Sequence, residues 1–212
     1  MLRNQLLQLA VPLVKQYGFT REALARSVLH LPAPHEQPLS EAAVTSLFGG
    51  GDDARRTLIN GWLDIARAEM KASSSPTSSL RDVLANRLRA NEPVLPLLPE
   101  AFALLASPSS GLPPLDPIPG LKHVSKIADD ACYLTGDTSV GPAWFRRRAA
   151  VAAAYGAAEL HQLTSPKTTY QFLDQVLNLT NKVDTSVSEV EQFGRYILRS
   201  WGGIIRSRGI FP

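Results

Sequence analysis

Apolar residues recur at a helical period of about 3.6 along most of this 212-residue chain, and nowhere do they alternate over the length of a strand. That pattern predicts an all-α fold. Leu6, Leu9, Leu13 and Val14 share one face of a helix from roughly Asn4 to Gln16, and Gly18 stands where a C-terminal cap is expected. Thr20 then caps "REALARSVLHL", and Ser40 caps "EAAVTSLF". Helix, tight glycine turn, helix and a third short helix outline a helix-turn-helix-like subdomain over residues 1–50.

Helical patterns continue over residues 51–184. "GGGDDARRTLINGWLDIARAEM" places Asp52 and Asp53 where carboxylates oppose the positive end of a helix dipole, with Leu58, Trp62, Ile65 and Ala66 as its apolar stripe. "KASSSPTSS" breaks the pattern, and "LRDVLANRLRAN" resumes it with Leu80, Val83, Leu84 and Leu88 inward. "EPVLPLLPEAFALLA" reads as a turn and a short helix, and "SPSSGLPPLDPIPG" as an extended, proline-rich loop. Three further helices are expected: "LKHVSKIADDACYLTG", an alanine-rich one from Ala143 to about Leu163, and "KTTYQFLDQVLNLTNKV".

Residues 185–212 form a distinct segment. At about 100° per residue, Val190, Phe193, Ile197, Trp201, Ile204 and Ile205 fall within an arc of about 120°, and Arg195, Arg199 and Arg206 gather opposite them within about 40°. An interfacial membrane helix has that division: the apolar side enters the acyl boundary and the arginines meet anionic head groups. A terminal helix docked on its own core has the same pattern. Gly194, Gly202 and Gly203 weaken the helix in water, so it depends on its surroundings to form.

Several chemistries are excluded. A net charge of +3 is too mild for a nucleic-acid coat, and the third helix carries no basic residue with which to reach phosphates. One cysteine, Cys132, allows neither an intrachain disulfide nor a cysteine-rich zinc site. His30, His35, His123 and His161 have no metal-ligand spacing, "ELH" is not the Glu-x-x-His of a di-iron bundle, and no P-loop or nucleophile elbow occurs. Asp129 and Asp130 are adjacent on a helix, so their carboxylates diverge and suit ion pairs better than acid–base work. No catalytic residue, metal or cofactor is therefore expected.

The stretch "DDACYLTGDTSVGPAWFRRRAAVAAAYGAAEL", Asp129 to Leu160, sets two aromatics after a Gly-Pro turn, then three arginines and a small-residue helix. Trp144 and Phe145 could staple that helix to its predecessor. Neighbours on a helix point about 100° apart, however, so both can hardly face one core, and an exposed pair would make an aromatic anchor. "AAVAAAYGAAEL" suits either a central core helix or a close seam between two copies. The stretch resembles the signature of the mitochondrial ubiquinone (coenzyme Q) biosynthesis accessory protein family, a lipid-binding family. "QYGFTREALA" and "TYQFLDQ" resemble its opening and penultimate helices.

That resemblance implies a tetracycline-repressor-like fold, with a vestigial helix-turn-helix trio (1–50), a helical lipid-binding domain (51–184) and a C-terminal amphipathic membrane helix (185–212). It implies a homodimer that binds isoprenoid quinone intermediates and phospholipid, sits peripherally on the matrix side of the inner mitochondrial membrane, and docks on the di-iron demethoxyubiquinone hydroxylase. Asp129, Trp144, Phe145 and Arg148 match the family's docking surface. Asp130 and Asp137 extend its charged rim, and the small Ala131 and Cys132, where the family often carries larger residues, either flatten the patch or shift contacts toward Tyr133 and Leu134. Leu58, Trp62, Leu84, Leu88, Phe102, Leu160, Phe172, Leu173 and Val176 are the pocket candidates, and each is equally a plain core candidate. Phe193, Arg195, Ile197, Arg199, Trp201, Ile204, Ile205 and Arg206 are the membrane candidates. The rival reading is a ligand-sensing transcriptional regulator.

Overall fold

The computed structural model describes residues 2–75, 77–107 and 116–182, the last three by their backbone alone. It is all-α: among the described residues there are nine α-helices and no strand. The membrane candidates Phe193 to Arg206 and most of the proline-rich loop lie outside the described residues. No helix among the described residues is long and apolar enough to cross a membrane.

Local chemistry sets the helix ends where the sequence places them. Helix α1 (Leu2–Tyr17) stops at Gly18, whose φ of 69° suits a residue without a Cβ and whose N–H donates to Val14 O at 2.9 Å. Thr20 Oγ1 accepts from Ala23 N to open α2 (Arg21–Arg26), which tightens into a 3-10 turn over Ser27–His30. Ser40 caps α3 (Glu41–Phe48) in the same way. Helix α4 (Asp52–Ser73) begins on Asp52 and Asp53, which pair with Arg55 and Arg56 at 3.1 Å. Ser79 caps α5 (Leu80–Arg89) by accepting from Asp82 N, and a 3-10 turn over Glu92–Leu97 leads into α6 (Leu98–Ala106). Helices α7 (Ile118–Leu134), α8 (Pro142–Thr164) and α9 (Thr169–Lys182) complete the described chain.

The helices enclose two hydrophobic cores. The first joins α1, α2 and α3 to the leading half of α4 and to α6, through residues such as Leu6, Leu24, Phe48, Leu58, Ile59, Leu98 and Phe102. The second joins the trailing end of α4 to α5, α7, α8 and α9, through Met70, Leu84, Leu88, Ile127, Tyr155 and Leu173. Helix α4 therefore serves both, and the first core runs straight across the boundary expected at residue 50. Gly61 lets α1 close on α4, since a Cβ there would meet the Leu7 side chain at 2.9 Å. Within α8 every residue from Val151 to Leu160 is buried except the half-buried Ala153, and the helix packs on α5, α7 and α9 of its own chain. The small-residue face is thus a central core face.

Candidate functional site

Two places stand out: a surface where α7 meets the start of α8, and a polar cluster between the two cores. The surface begins at Gly141, whose φ of 59° turns the chain into Pro142 at the start of α8. Trp144 and Phe145 follow in the first turn and are 36% and 68% exposed. Their rings meet edge-on at 4.8 Å between centroids, so they act as one apolar body. Tyr133 at the end of α7 and Val140 in the connecting loop are each 80% exposed. Of the eight large hydrophobics left exposed among the described residues, six lie between Ile118 and Phe145. Four of them, Tyr133, Val140, Trp144 and Phe145, lie at the α7–α8 junction, whereas Ile118 and Leu121 lie at the other end of α7.

Arg148 ties this surface together. It sits one turn after Trp144, with its guanidinium carbon 4.0 Å from the Trp144 ring centroid. Its Nε donates to Asp129 Oδ1 at 2.7 Å and its Nη1 to Asp137 Oδ2 at 2.8 Å. Burial opposes its charge, but the bonds to Asp129 and Asp137 raise its pKa. The Ser139 hydroxyl, which donates to Asp137 at 2.7 Å, and Arg148 hold the Asp137 carboxyl below the usual range. The Trp144 indole is thus held from one side by an arginine that is itself pinned by two carboxylates.

Asp130 corrects the sequence expectation. The sequence puts it on the charged rim, but it is 8% exposed and faces α4, where Arg67 grips it through two nitrogens and Lys71 Nζ approaches to 2.8 Å. The adjacent carboxylates do diverge by about 100°, and only Asp129 stays on the surface. Ala131 and Cys132 lie beneath the patch in the second core, where burial pushes the Cys132 thiol up. Leu134 is half-buried at the end of α7.

Inside, the pocket candidates fall into two groups. Leu58, Trp62 and Phe102 belong to the first core, and Leu84, Leu88, Leu173 and Val176 to the second, with Phe172 packed on its edge. Leu160 is 5% exposed and belongs to neither set.

Between the two cores lies a cluster that sequence reasoning missed. Arg87 on α5 is fully buried, and its Nη1 donates to Asn91 Oδ1 at 2.6 Å. Asn91 Nδ2 donates to Glu159 Oε1 at 3.1 Å and Gln162 Oε1 at 3.0 Å, both on α8. Tyr155 Oη donates to Glu159 at 2.6 Å, and His123 Nε2 on α7 lies 3.0 Å from its other oxygen. Desolvation pushes the Glu159 pKa up, but His123, then Arg87 and Tyr155, outweigh it and bring the carboxyl down to about 2. Burial raises the Tyr155 hydroxyl well above its ordinary value. Trp62 and Phe102 border the cluster, with Arg87 5.4 Å from the Trp62 ring centroid and the His123 ring 6.1 Å from Phe102.

A signal for this cluster was present. Arg87 falls four residues after Val83 and three after Leu84, on the apolar face of its helix; Tyr155, Glu159 and Gln162 share one face of α8 at helical spacing. Among the described residues no group of three or more His, Cys, Asp or Glu could hold a metal ion.

Comparison with known proteins agrees with the resemblance drawn from Asp129 to Leu160. The family described as COQ9 matches residues 118–184, which hold the aromatic surface and His123, Tyr155, Glu159 and Gln162 of the polar cluster. The ubiquinone biosynthesis protein COQ9, mitochondrial, of Xenopus tropicalis is 27% identical over 95% of this chain and 65% of its own length. The Schizosaccharomyces pombe protein of the same name is 27% identical over 97% of this chain and 80% of its own. The Homo sapiens protein is 27% identical over 95% and 64%. The chain thus spans slightly less than two thirds of the length of the frog and human relatives.

Proposed function

We propose that this chain, similar over nearly its whole length to mitochondrial ubiquinone biosynthesis proteins, works in ubiquinone biosynthesis as a non-catalytic lipid-binding accessory protein. It takes isoprenoid quinone intermediates from the bilayer and presents them to the di-iron demethoxyubiquinone hydroxylase on the matrix side of the inner mitochondrial membrane. Residues 185–212 lie on the membrane, the interior between the helices holds the lipid alongside phospholipid, and the α7–α8 surface holds the enzyme. The working form is a homodimer with a tetracycline-repressor-like arrangement of helices.

The observation that supports this reading best is the exposed Trp144–Phe145 pair inside the segment matched to the family. Leaving two large aromatics and Tyr133 in water has no benefit for the isolated chain, whereas rigid aromatics beside an arginine are the usual anchors of a protein interface. The trio at the start supports no nucleic-acid role. Arg21, at the start of its second helix, is engaged by Glu41, Thr45 and the Gly49 carbonyl.

The test is capture of the hydroxylase by the full chain and by Phe145→Lys and Trp144→Lys. Capture is expected from the wild type and lost in both variants, with helix content unchanged. Undiminished capture by both would remove the docking assignment.

A further inference from the structure

The polar cluster between the cores contains one side chain whose bonding is incomplete. Arg87 is fully buried, yet its Nε and Nη2 have no hydrogen-bond partner among the described residues. Buried polar groups are almost always paired, and unpaired donors on a charged group are among the costliest exceptions.

The geometry defines what would complete it. Nε–H and Nη2–H form one edge of the guanidinium plane and point the same way. This protein uses that same edge twice elsewhere: Arg67 binds both oxygens of Asp130 with it, and so does Arg81 with those of Asp174. In Arg87 the opposite side of the plane is committed to Asn91 through Nη1. The Trp62 ring, 5.4 Å away, offers its π-face as a cation–π partner and carries no oxygen to accept the edge's two N–H groups. The carboxylate of the cluster does not take the edge: Glu159 accepts from Asn91 and Tyr155 and pairs with His123, and no hydrogen bond joins it to Arg87 Nε or Nη2.

We propose that the Nε–Nη2 edge of Arg87 is the head-group anchor of the interior site, receiving the two oxygens of a phosphate or carboxylate on a lipid whose chain lies among the apolar side chains of the two cores. This rests on the lipid-binding reading and specifies the polar end of the phospholipid held alongside the quinone. Asn91 is the positioning residue. Its Oδ1 fixes the guanidinium plane, while its Nδ2 is held by Glu159 and Gln162, and Gln162 is held in turn by the Leu88 carbonyl at 2.9 Å. Trp62 and Phe102 then flank the point where head group and chain join.

The experiment uses the full chain and three probes: oleoyl lysophosphatidic acid, monooleoylglycerol and inorganic phosphate, with binding followed by native mass spectrometry. The first two share one acyl chain and differ in the anionic head. The wild type is expected to favour lysophosphatidic acid by at least about tenfold, as a charge-assisted two-point contact implies. Inorganic phosphate alone, at equal concentration, is expected not to compete. Arg87→Met should abolish the preference for lysophosphatidic acid over monooleoylglycerol. Arg87→Lys keeps the charge without the fork, should lose most of the preference, and decides the matter if the methionine variant does not fold. A wild type that binds both lipids equally, or an Arg87→Met protein that keeps the preference, overturns the anchor and leaves lipid binding standing. Phosphate alone competing as well as the lipid would make this an inorganic-ion site. Binding of neither lipid overturns the lipid reading itself.

Discussion

The Arg148 guanidinium lies 4.0 Å from the centre of the Trp144 ring, one helical turn away, while two of its nitrogens hold Asp129 and Asp137. The indole is therefore positioned before any partner arrives, which lowers the ordering cost of binding through it.

Replacing Arg148 should separate posture from stability. Arg148→Ala removes the cation–π contact and both ion pairs, and about 1–2 kcal/mol of stability should go with them. Arg148→Lys keeps a charge but cannot serve Asp129 and Asp137 while lying flat on the indole. Chemical denaturation should rank wild type above Lys above Ala, and hydroxylase capture should follow the same order. Equal capture by all three would show that Trp144 needs no support.

Glu159 should dominate part of the acid limb of stability. Its folded pKa of about 2 lies below the ordinary carboxylate value, so its stabilisation is complete above about pH 4.5 and is lost as pH falls toward about 2. The groups that face it are His123 from α7, Tyr155 on its own helix, and Arg87 and Asn91 from α5 and its end. Glu159→Gln should flatten the dependence of the urea midpoint on pH across that window. An unchanged slope would place the acid sensitivity elsewhere, Asp137 being the next candidate.

Leu84→Ala and Leu173→Ala remove fully buried side chains from the second core and should each cost about 2–5 kcal/mol. Phe145→Ala, on the surface, should stay within about 0.5 kcal/mol of wild type. Thermal or chemical denaturation of the three proteins checks both statements together.

Removing the residues after Ser186 should cut flotation with liposomes that contain anionic lipid, and raised salt should weaken flotation of the intact chain. Undiminished flotation of the shortened chain would locate the membrane contact within residues 1–186, with the exposed Tyr133 and Phe145 as the first suspects.

Much of this molecule was legible in its sequence, because helix ends are local. Thr20, Ser40 and Gly18 cap where composition and spacing put them, and the 100° step between Trp144 and Phe145 foretold that both could not be buried together. Long-range pairing was not legible. Nothing in "DDACYL" says that Asp130 turns toward Arg67, 63 residues earlier, while its neighbour meets Arg148. Nor could three separate segments announce that Arg87, His123 and Glu159 converge. Each was visible as a polar residue on or beside an apolar face, but their meeting depends on how three helices pack.

Helix α4 contributes its leading half to one core and its trailing end to the other. The opening fifty residues are therefore no idle relic, whatever their ancestry. A chain shortened to begin at α4 would bare Leu58, Ile59 and Leu63 as a greasy strip along a rod that the rest of the protein still needs. It would clump in solution.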